Sequence, residues 1–270
     1  VKLPENFLKG LEGKPQEVLR SPYFREMNGL NEGEWRRYIA HYLGLCALID
    51  KQVGDIVAYL RQNGLYDDTI IVFVSDHGDM MGAHGLVKKG FPLHYEEALR
   101  VPLIIANAGG VARGNCEALV SLVDLVPTLA DLVGVPVRQR IEGRSFAHLF
   151  REGRASFHRD FILAESFKLG GEESAVVGGE SAPPERFQPG RDSVNFSIRT
   201  ADRKYIFRYK DREELYDMKQ DPCENVNLAD DPARAGDLAR MRELLLAELR
   251  RSHPFLGRLV EDRLSSMNTP

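Results

Sequence analysis

The 270 residues carry 36 Lys and Arg against 40 Asp and Glu, a net charge of −4, and 43% of them are hydrophobic. That size and balance suit one large α/β domain, or a domain with a small appendage, and argue against a nucleic-acid surface. No apolar run approaches the ~20 residues that span a bilayer. Cys46, Cys116 and Cys223 are widely separated and odd in number, so they suit neither a disulfide framework nor a structural zinc site.

The first 30 residues read as extended and loop-like, punctuated by Pro4, Pro15 and Pro22. "VKLPENFLKG" lacks the apolar core and cleavage site of a signal peptide. From Asn31 a helical period sets in, with Trp35, Ile39, Tyr42, Leu45, Ile49, Val53, Ile56 and Leu60 at three- and four-residue steps. Asn63-Gly64 is its expected stop. "TIIVFVS" is continuously apolar and β-branched, which suits a parallel strand buried on both faces. "VPLIIANA" (101–108) reads as another buried strand. A strand or turn is expected at Leu119–Leu122. A helix then follows from Asp124 as N-cap, with Pro127 in its first turn and a stop near Gly134.

"DFILAES" (160–166) is a third strand. The alternation of strands and helices predicts an α/β fold with a mainly parallel sheet. Residues 169–192, rich in Gly, Ser, Pro and Glu, predict a long loop. "SVNFSIRTADRKYIFRYKDREELYDM" alternates apolar and polar residues, the pattern of antiparallel strands with one wet face, and "ARAGDLARMRELLLAELRRSH" is an amphipathic helix. The expected organisation is a core over 1–168, a loop over 169–192 and a small α+β subdomain over 193–270.

The chemistry concentrates in "IVFVSDHGDMMGAHGLVKKG". Ligands of open parallel sheets bind beyond the carboxyl ends of the strands, where Asp76 and His77 fall. A lone strand-end aspartate is often only a helix cap. His84, Lys88 and Lys89 point further: cations brought near a metal-binding carboxylate make sense if both grip one oxyanion, a sulfate or a phosphate. Taken singly, Lys88 reads as a solvated surface charge.

The ordered set "SDHGD", "HGL", "KKG", "YEEALRVPLII", "VSLVDLVPTLADLVGV", "EGRSF" and "ELYDMKQDPCENVNLA" resembles the sulfatase family of the alkaline-phosphatase-like superfamily. The resemblance runs over most of the chain. It implies an alkaline-phosphatase-like αβα sandwich with a mainly parallel sheet, plus a small C-terminal antiparallel sheet and helix. It implies that Asp76 is a metal ligand, that His77 also faces metal and substrate, and that Lys89 contacts sulfate. His84 is implied as a further residue of the substrate pocket. The metal would be Ca²⁺, with Mg²⁺ or Mn²⁺ as alternatives; an imidazole at 77 is less suited to Ca²⁺ than an amide oxygen. Tyr95, Glu96, Glu97 and Arg100 are expected in structural roles, the acids pairing with Arg100 or capping a helix. The implied substrate is a small-molecule or carbohydrate sulfate ester.

The family's nucleophile, a formylglycine made within Cys/Ser-x-Pro/Ala-x-Arg, has no counterpart around Cys46, Cys116 or Cys223, so no catalytic nucleophile is assigned. The paired N-terminal aspartates of the metal site are missing too. The expectation is that these residues are the C-terminal half of a longer sulfatase, inactive alone, with an apolar edge left uncovered. The alternatives are a phosphonate or phosphate ester hydrolase of the same superfamily and a catalytically inactive, sulfatase-like binding protein. A two-zinc phosphatase is disfavoured: His94, His148, His158 and His253 show no His-x₃-His or Asp-x₃-His set.

Overall fold

A computed structural model describes residues 1–25, 27, 29–107, 114–151, 157–168, 187–188 and 191–267. Most of the loop expected at 169–192 lies outside the described residues. Two short helices, α1 (Gln16–Leu19) and α2 (Pro22–Arg25), precede α3 (Glu32–Gln62). A reciprocal cap starts α3: the Glu34 N–H donates to Asn31 Oδ1 at 3.1 Å, and the Asn31 N–H donates to Glu34 Oε2 at 2.9 Å. Asn63 and left-handed Gly64 end it, as the sequence predicts.

Among the described residues, the apolar stripe of α3 is buried only at its start. Trp35 and Ile39 are buried, whereas Leu45, Ile49, Ile56 and Tyr59 are exposed. After α3 comes β1 (Ile71–Val74), then α4 (Glu96–Leu99) and β2 (Leu103–Ala106). β1 pairs antiparallel with β2, from Ile71↔Ala106 to Val74↔Leu103. The expected two-faced burial is not met among the described residues: Val74 and Ile104 are exposed. A continuous apolar run reports what a strand can bury, and the layers that would cover this pair are not among these residues.

Next come α5 (Leu125–Val133) and α6 (His148–Arg151). Pro127 sits in the first turn of α5 and left-handed Gly134 ends it, as predicted. Asp124 is the N-cap residue of that helix, as predicted, but its side chain does not cap it. It closes the preceding 3-10 turn (Leu122–Asp124), where its Oδ2 accepts the Ser121 N–H at 2.9 Å. Asp124 is fully buried and also accepts from the Arg144 N–H at 2.8 Å and from Arg159 Nε at 2.7 Å. "VDLVPTL" and "EGRSF" therefore meet at this carboxylate. Gly143 is required beside it, since a Cβ there would lie 1.9 Å from the Val123 carbonyl oxygen.

The remaining elements are β3 (Phe161–Lys168), β4 (Ser193–Thr200), β5 (Arg203–Arg208), β6 (Glu214–Asp217), α7 (Ala235–Ser252) and α8 (Pro254–Met267). The strands form one antiparallel sheet in the order β3-β4-β5-β6. β3, expected in the parallel sheet, instead pairs with β4 over its whole length, Phe161↔Thr200 to Lys168↔Ser193.

One face of this sheet carries Val194, Phe196, Ile198, Tyr205, Phe207 and Leu215, which pack with Met241, Leu245 and Leu249 of α7 and with Leu256 and Val260 of α8. The other face was expected to be wet and is not. Asn195, Lys204, Arg208 and Glu214 are buried there, and Ile206 and Tyr216 pack with Met80, Leu86, Leu93 and Tyr95. Period-two alternation tells polar from apolar, not wet from dry; buried polar groups persist where each finds a partner.

Candidate active site

The chain leaves β1 at Val74 and turns at Ser75–Gly78. Gly78 donates its N–H to the Ala98 carbonyl at 2.8 Å, and a Cβ at Gly78 would lie 1.9 Å from the Glu97 carbonyl oxygen. Glycine is needed here for close approach of two backbones. The approach fixes Asp76 and His77 against the "YEEAL" segment, twenty residues on in sequence.

The Asp76 side chain is 85% exposed and that of His77 42% exposed. Asp76 Oδ1 accepts the His77 N–H at 2.9 Å, which leaves Oδ2 facing outward, 3.5 Å from His77 Nε2. His77 Nδ1 lies 2.9 Å from the Gly78 carbonyl. A carbonyl only accepts, so Nδ1 carries a proton and donates; in the neutral ring Nε2 then keeps its lone pair. Metal-binding histidines commonly hold their second nitrogen in this way. Asp76 Oδ2 and His77 Nε2 thus fit a divalent cation as two adjacent donors. They are too few to hold Ca²⁺, which takes six to eight oxygens. Among the described residues no group of three or more His, Cys, Asp or Glu could hold a metal ion.

Beyond Gly78 the chain winds into a tight loop. Met80 N–H donates to Lys88 O at 2.9 Å and Gly82 N–H to Leu86 O at 2.8 Å. Residues 82–87 are buried, and Lys88 and Lys89 are exposed. His84 is fully buried. Its Nδ1 lies 3.2 Å from the Lys9 carbonyl and its Nε2 3.3 Å from Asn6 Nδ2, so the ring donates to the first and accepts from the second. Burial, and then the Lys14 cation, push the His84 imidazole down to about 3. Asp76 and His77 are therefore adjacent and accessible, Lys89 is accessible on the same loop system, and His84 lies beneath the surface.

Tyr95, Glu96 and Glu97 take the structural roles expected of them, with partners that sequence reasoning missed. Tyr95 is buried and donates to Glu214 Oε1 at 2.8 Å. Glu96 pairs with Arg199 and Lys204 at 3.3 and 3.1 Å, and Glu97 accepts from Asn6 Nδ2 at 2.7 Å. Pairing of these acids with Arg100 or capping of a helix was expected; Arg100 is exposed, and both acids fall in the first turn of α4. Arg208, fully buried, pairs with Glu214 Oε2, donating through Nε at 2.7 Å with a terminal nitrogen 2.6 Å away. Burial alone would raise the Glu214 carboxyl; Arg208 and then Lys14 overcome it and hold it at about 2. Lys14, brought down to about 8 chiefly by burial, donates to Tyr216 OH at 2.8 Å and to the Glu224 carbonyl at 2.9 Å. The Glu96 N–H donates to Glu224 Oε2 at 2.7 Å. "YEE" and "ELYD…DPCEN" are thus two sides of one buried charge network beneath the loop. The available signal was that Lys204 and Arg208 of β5 share the face opposite Tyr205 and Phe207, with Ile206 between them.

A strand-end carboxylate and imidazole thus lie at the end of β1, with an exposed lysine on the adjoining loop. Residues 12–135 match the Sulfatase family. The chain is 31% identical over 253 residues to an arylsulfatase of Clostridium perfringens, an alignment covering 92% of this chain and 47% of that protein. A solved 2-O GAG sulfatase superposes with a TM-score of 0.76 at 28% identity, over 93% of this chain and 52% of that one. A phosphonate monoester hydrolase of Agrobacterium radiobacter gives a TM-score of 0.66 at 30% identity, over 78% and 41%. These matches assign the chain to the sulfatase family, with an alkaline-phosphatase-like fold, as the counterpart of its C-terminal portion. The chain spans about half the length of the relatives it matches. No helix among the described residues is long and apolar enough to cross a membrane.

Proposed function

We propose that this chain supplies one side of the active site of a sulfate ester hydrolase. The observation that carries the reading is the pair of outward-facing donors, Asp76 Oδ2 and His77 Nε2, 3.5 Å apart at the end of β1. Asp76 and His77 hold a divalent cation, and Lys89 takes the sulfuryl oxygens. The cation, when bound, supplies Lewis-acid stabilisation of charge on the transferring group. Ca²⁺ is the first choice for the metal because Asp76 offers a hard oxygen, with Mg²⁺ an alternative on the same ground, and the imidazole at 77 leaves room for Mn²⁺. His84 serves by fixing the loop under the substrate; a direct contact would require its buried ring to become exposed.

The nucleophile and the remaining metal ligands come from residues outside these 270, so the chain alone is inactive. The exposed stripe of α3 supports this, since Leu45, Ile49 and Ile56 present an apolar surface that a further layer would bury. The substrate is a small-molecule or carbohydrate sulfate ester. A second reading, phosphonate or phosphate ester hydrolysis, is supported by the imidazole at 77 and by the similarity to a phosphonate monoester hydrolase. Turnover of matched sulfate and phosphonate esters by the polypeptide from its source cell tests the two. Faster sulfate hydrolysis supports the first reading, and faster phosphonate hydrolysis replaces it with the second.

A further inference from the structure

The loop that carries Lys89 is held in an unfavourable backbone conformation. Met81, His84 and Lys88 have φ of 43°, 53° and 63°, in the left-handed region that non-glycine residues seldom occupy. Such a conformation persists only where surrounding contacts over-determine it. Lys88 matters most, because its dihedrals set the direction in which Lys89 leaves the loop.

One side chain bridges the loop. Asp79 Oδ1 accepts the Met81 N–H and the Lys88 N–H, both at 3.0 Å. The Lys88 carbonyl is engaged as well, by Met80 N–H at 2.9 Å. Lys88 is thus clamped at both backbone polar groups, once by the Asp79 side chain and once by the residue after Asp79. Below the clamp, His84 N–H donates to Asn6 O at 3.0 Å and Val87 N–H to Tyr23 O at 3.1 Å, so the buried part of the loop is anchored independently. Asp79 itself lies three residues after Asp76. A single carboxylate therefore ties the strand end that bears Asp76 and His77 to the backbone next to Lys89.

We propose that Asp79 is a positioning residue: it fixes the spacing between the metal-side donors, Asp76 and His77, and the oxyanion-side Lys89. The inference rests on the reading of Lys89 as a sulfate ligand. Asp79 acts as a hydrogen-bond acceptor to two backbone N–H groups. An amide oxygen at the same place can do the same work, and a methyl group cannot.

The test uses the polypeptide as its source cell makes it, with Asp79→Ala, Asp79→Asn, Lys89→Ala and the Asp79→Ala/Lys89→Ala pair. Inhibition by inorganic sulfate reports oxyanion binding, and amide exchange at Lys88 reports the clamp. Asp79→Ala is expected to weaken sulfate inhibition about tenfold, the scale of a lost charge-assisted hydrogen bond, and to deprotect the Lys88 amide. Asp79→Asn should stay within about threefold of the parent, and Asp79→Ala should have no further effect once Lys89 is alanine. If Lys89→Ala weakens sulfate inhibition and Asp79→Ala does not, the positioning role is overturned and the lysine reading stands. If Lys89→Ala has no effect, the lysine reading fails and this inference with it. Should Asp79→Ala not fold, Asp79→Asn still decides: parent-like sulfate inhibition supports the clamp, and a large loss overturns it.

Discussion

His77 Nε2 lies 3.5 Å from Asp76 Oδ2, and His77 Nδ1 lies 2.9 Å from the carbonyl of Gly78. The second contact decides the meaning of the first. It places a proton on Nδ1 and, in the neutral ring, leaves the Nε2 lone pair beside the exposed carboxylate. Asp76→Ala is expected to lower metal affinity of the natural polypeptide by more than about 100-fold, above the 10–100-fold typical of a residue that only supports a ligand. Titration of the metal-depleted protein with Ca²⁺ and Mn²⁺ measures this, and His77→Asn should shift preference toward Ca²⁺ by replacing nitrogen with an amide oxygen.

Gly78 is the backbone counterpart of that pair. Gly78→Ala places a methyl group 1.9 Å from the Glu97 carbonyl, so the two backbones must part. A loss of about 1–3 kcal/mol is expected, the usual scale of overpacking. Thermal or urea unfolding reads it. Gly236→Ala is the control, since nothing lies within 4 Å of a Cβ there and the position is helical.

The charge network under the loop should behave as buried pairs do. Removing one partner leaves the other desolvated, so Arg208→Ala is expected to cost about 3–5 kcal/mol. Arg212→Ala, whose exposed pair with Asp230 is screened by water, should cost less than about 1 kcal/mol. Denaturant titration of both variants separates the two cases.

Acid should unfold the protein in a defined order. His84 and His94 are brought down to about 3, chiefly by burial, against 6.5 when free. Between those values each of these rings binds more protons in the unfolded chain, so the two favour loss of stability as pH falls below about 6.5, opposed in part by Glu224, which burial raises to about 7. Glu214, held at about 2 against 4.5 when free, adds a further loss as pH falls below about 4.5. Replacing His94 should flatten the dependence above pH 4.5 and leave the lower limb in place. Its ring sits between Ser197 Oγ at 2.9 Å and Ser166 Oγ at 2.8 Å, so His94→Gln keeps polar partners for both.

The uncovered stripe of α3 predicts behaviour of the isolated 270 residues. They should bind a hydrophobic dye and self-associate. Ile56→Glu, at an exposed position, should improve solubility with a stability change within about 0.5 kcal/mol. Dye fluorescence and light scattering on both forms check it.

Local rules carried the sequence reading where local physics decides. The Asn63-Gly64 stop, Pro127 and Gly134 are each governed by neighbours a few residues away. Asp76, His77 and Lys89 stood out because their residue types suit the chemistry. What stayed hidden depends on contacts distant in sequence. Lys14 meets Tyr216 and Asn6 meets Glu97 across 202 and 91 residues, against the sheet face that alternation made look solvated. β3 escaped for the same reason: eight residues can read as a parallel strand until the partner is known to be β4. His84 illustrates the remaining gap, because its spacing within "HGL" carries no sign that its ring is turned inward between Asn6 and Lys9.

The most direct test is the intact mass and peptide map of the protein as its source cell produces it. The account predicts a polypeptide roughly twice as long, carrying a formylglycine peptide upstream of these residues. A natural product of 270 residues with no such peptide would contradict it, and would leave Asp76, His77 and Lys89 as a ligand pocket without a nucleophile.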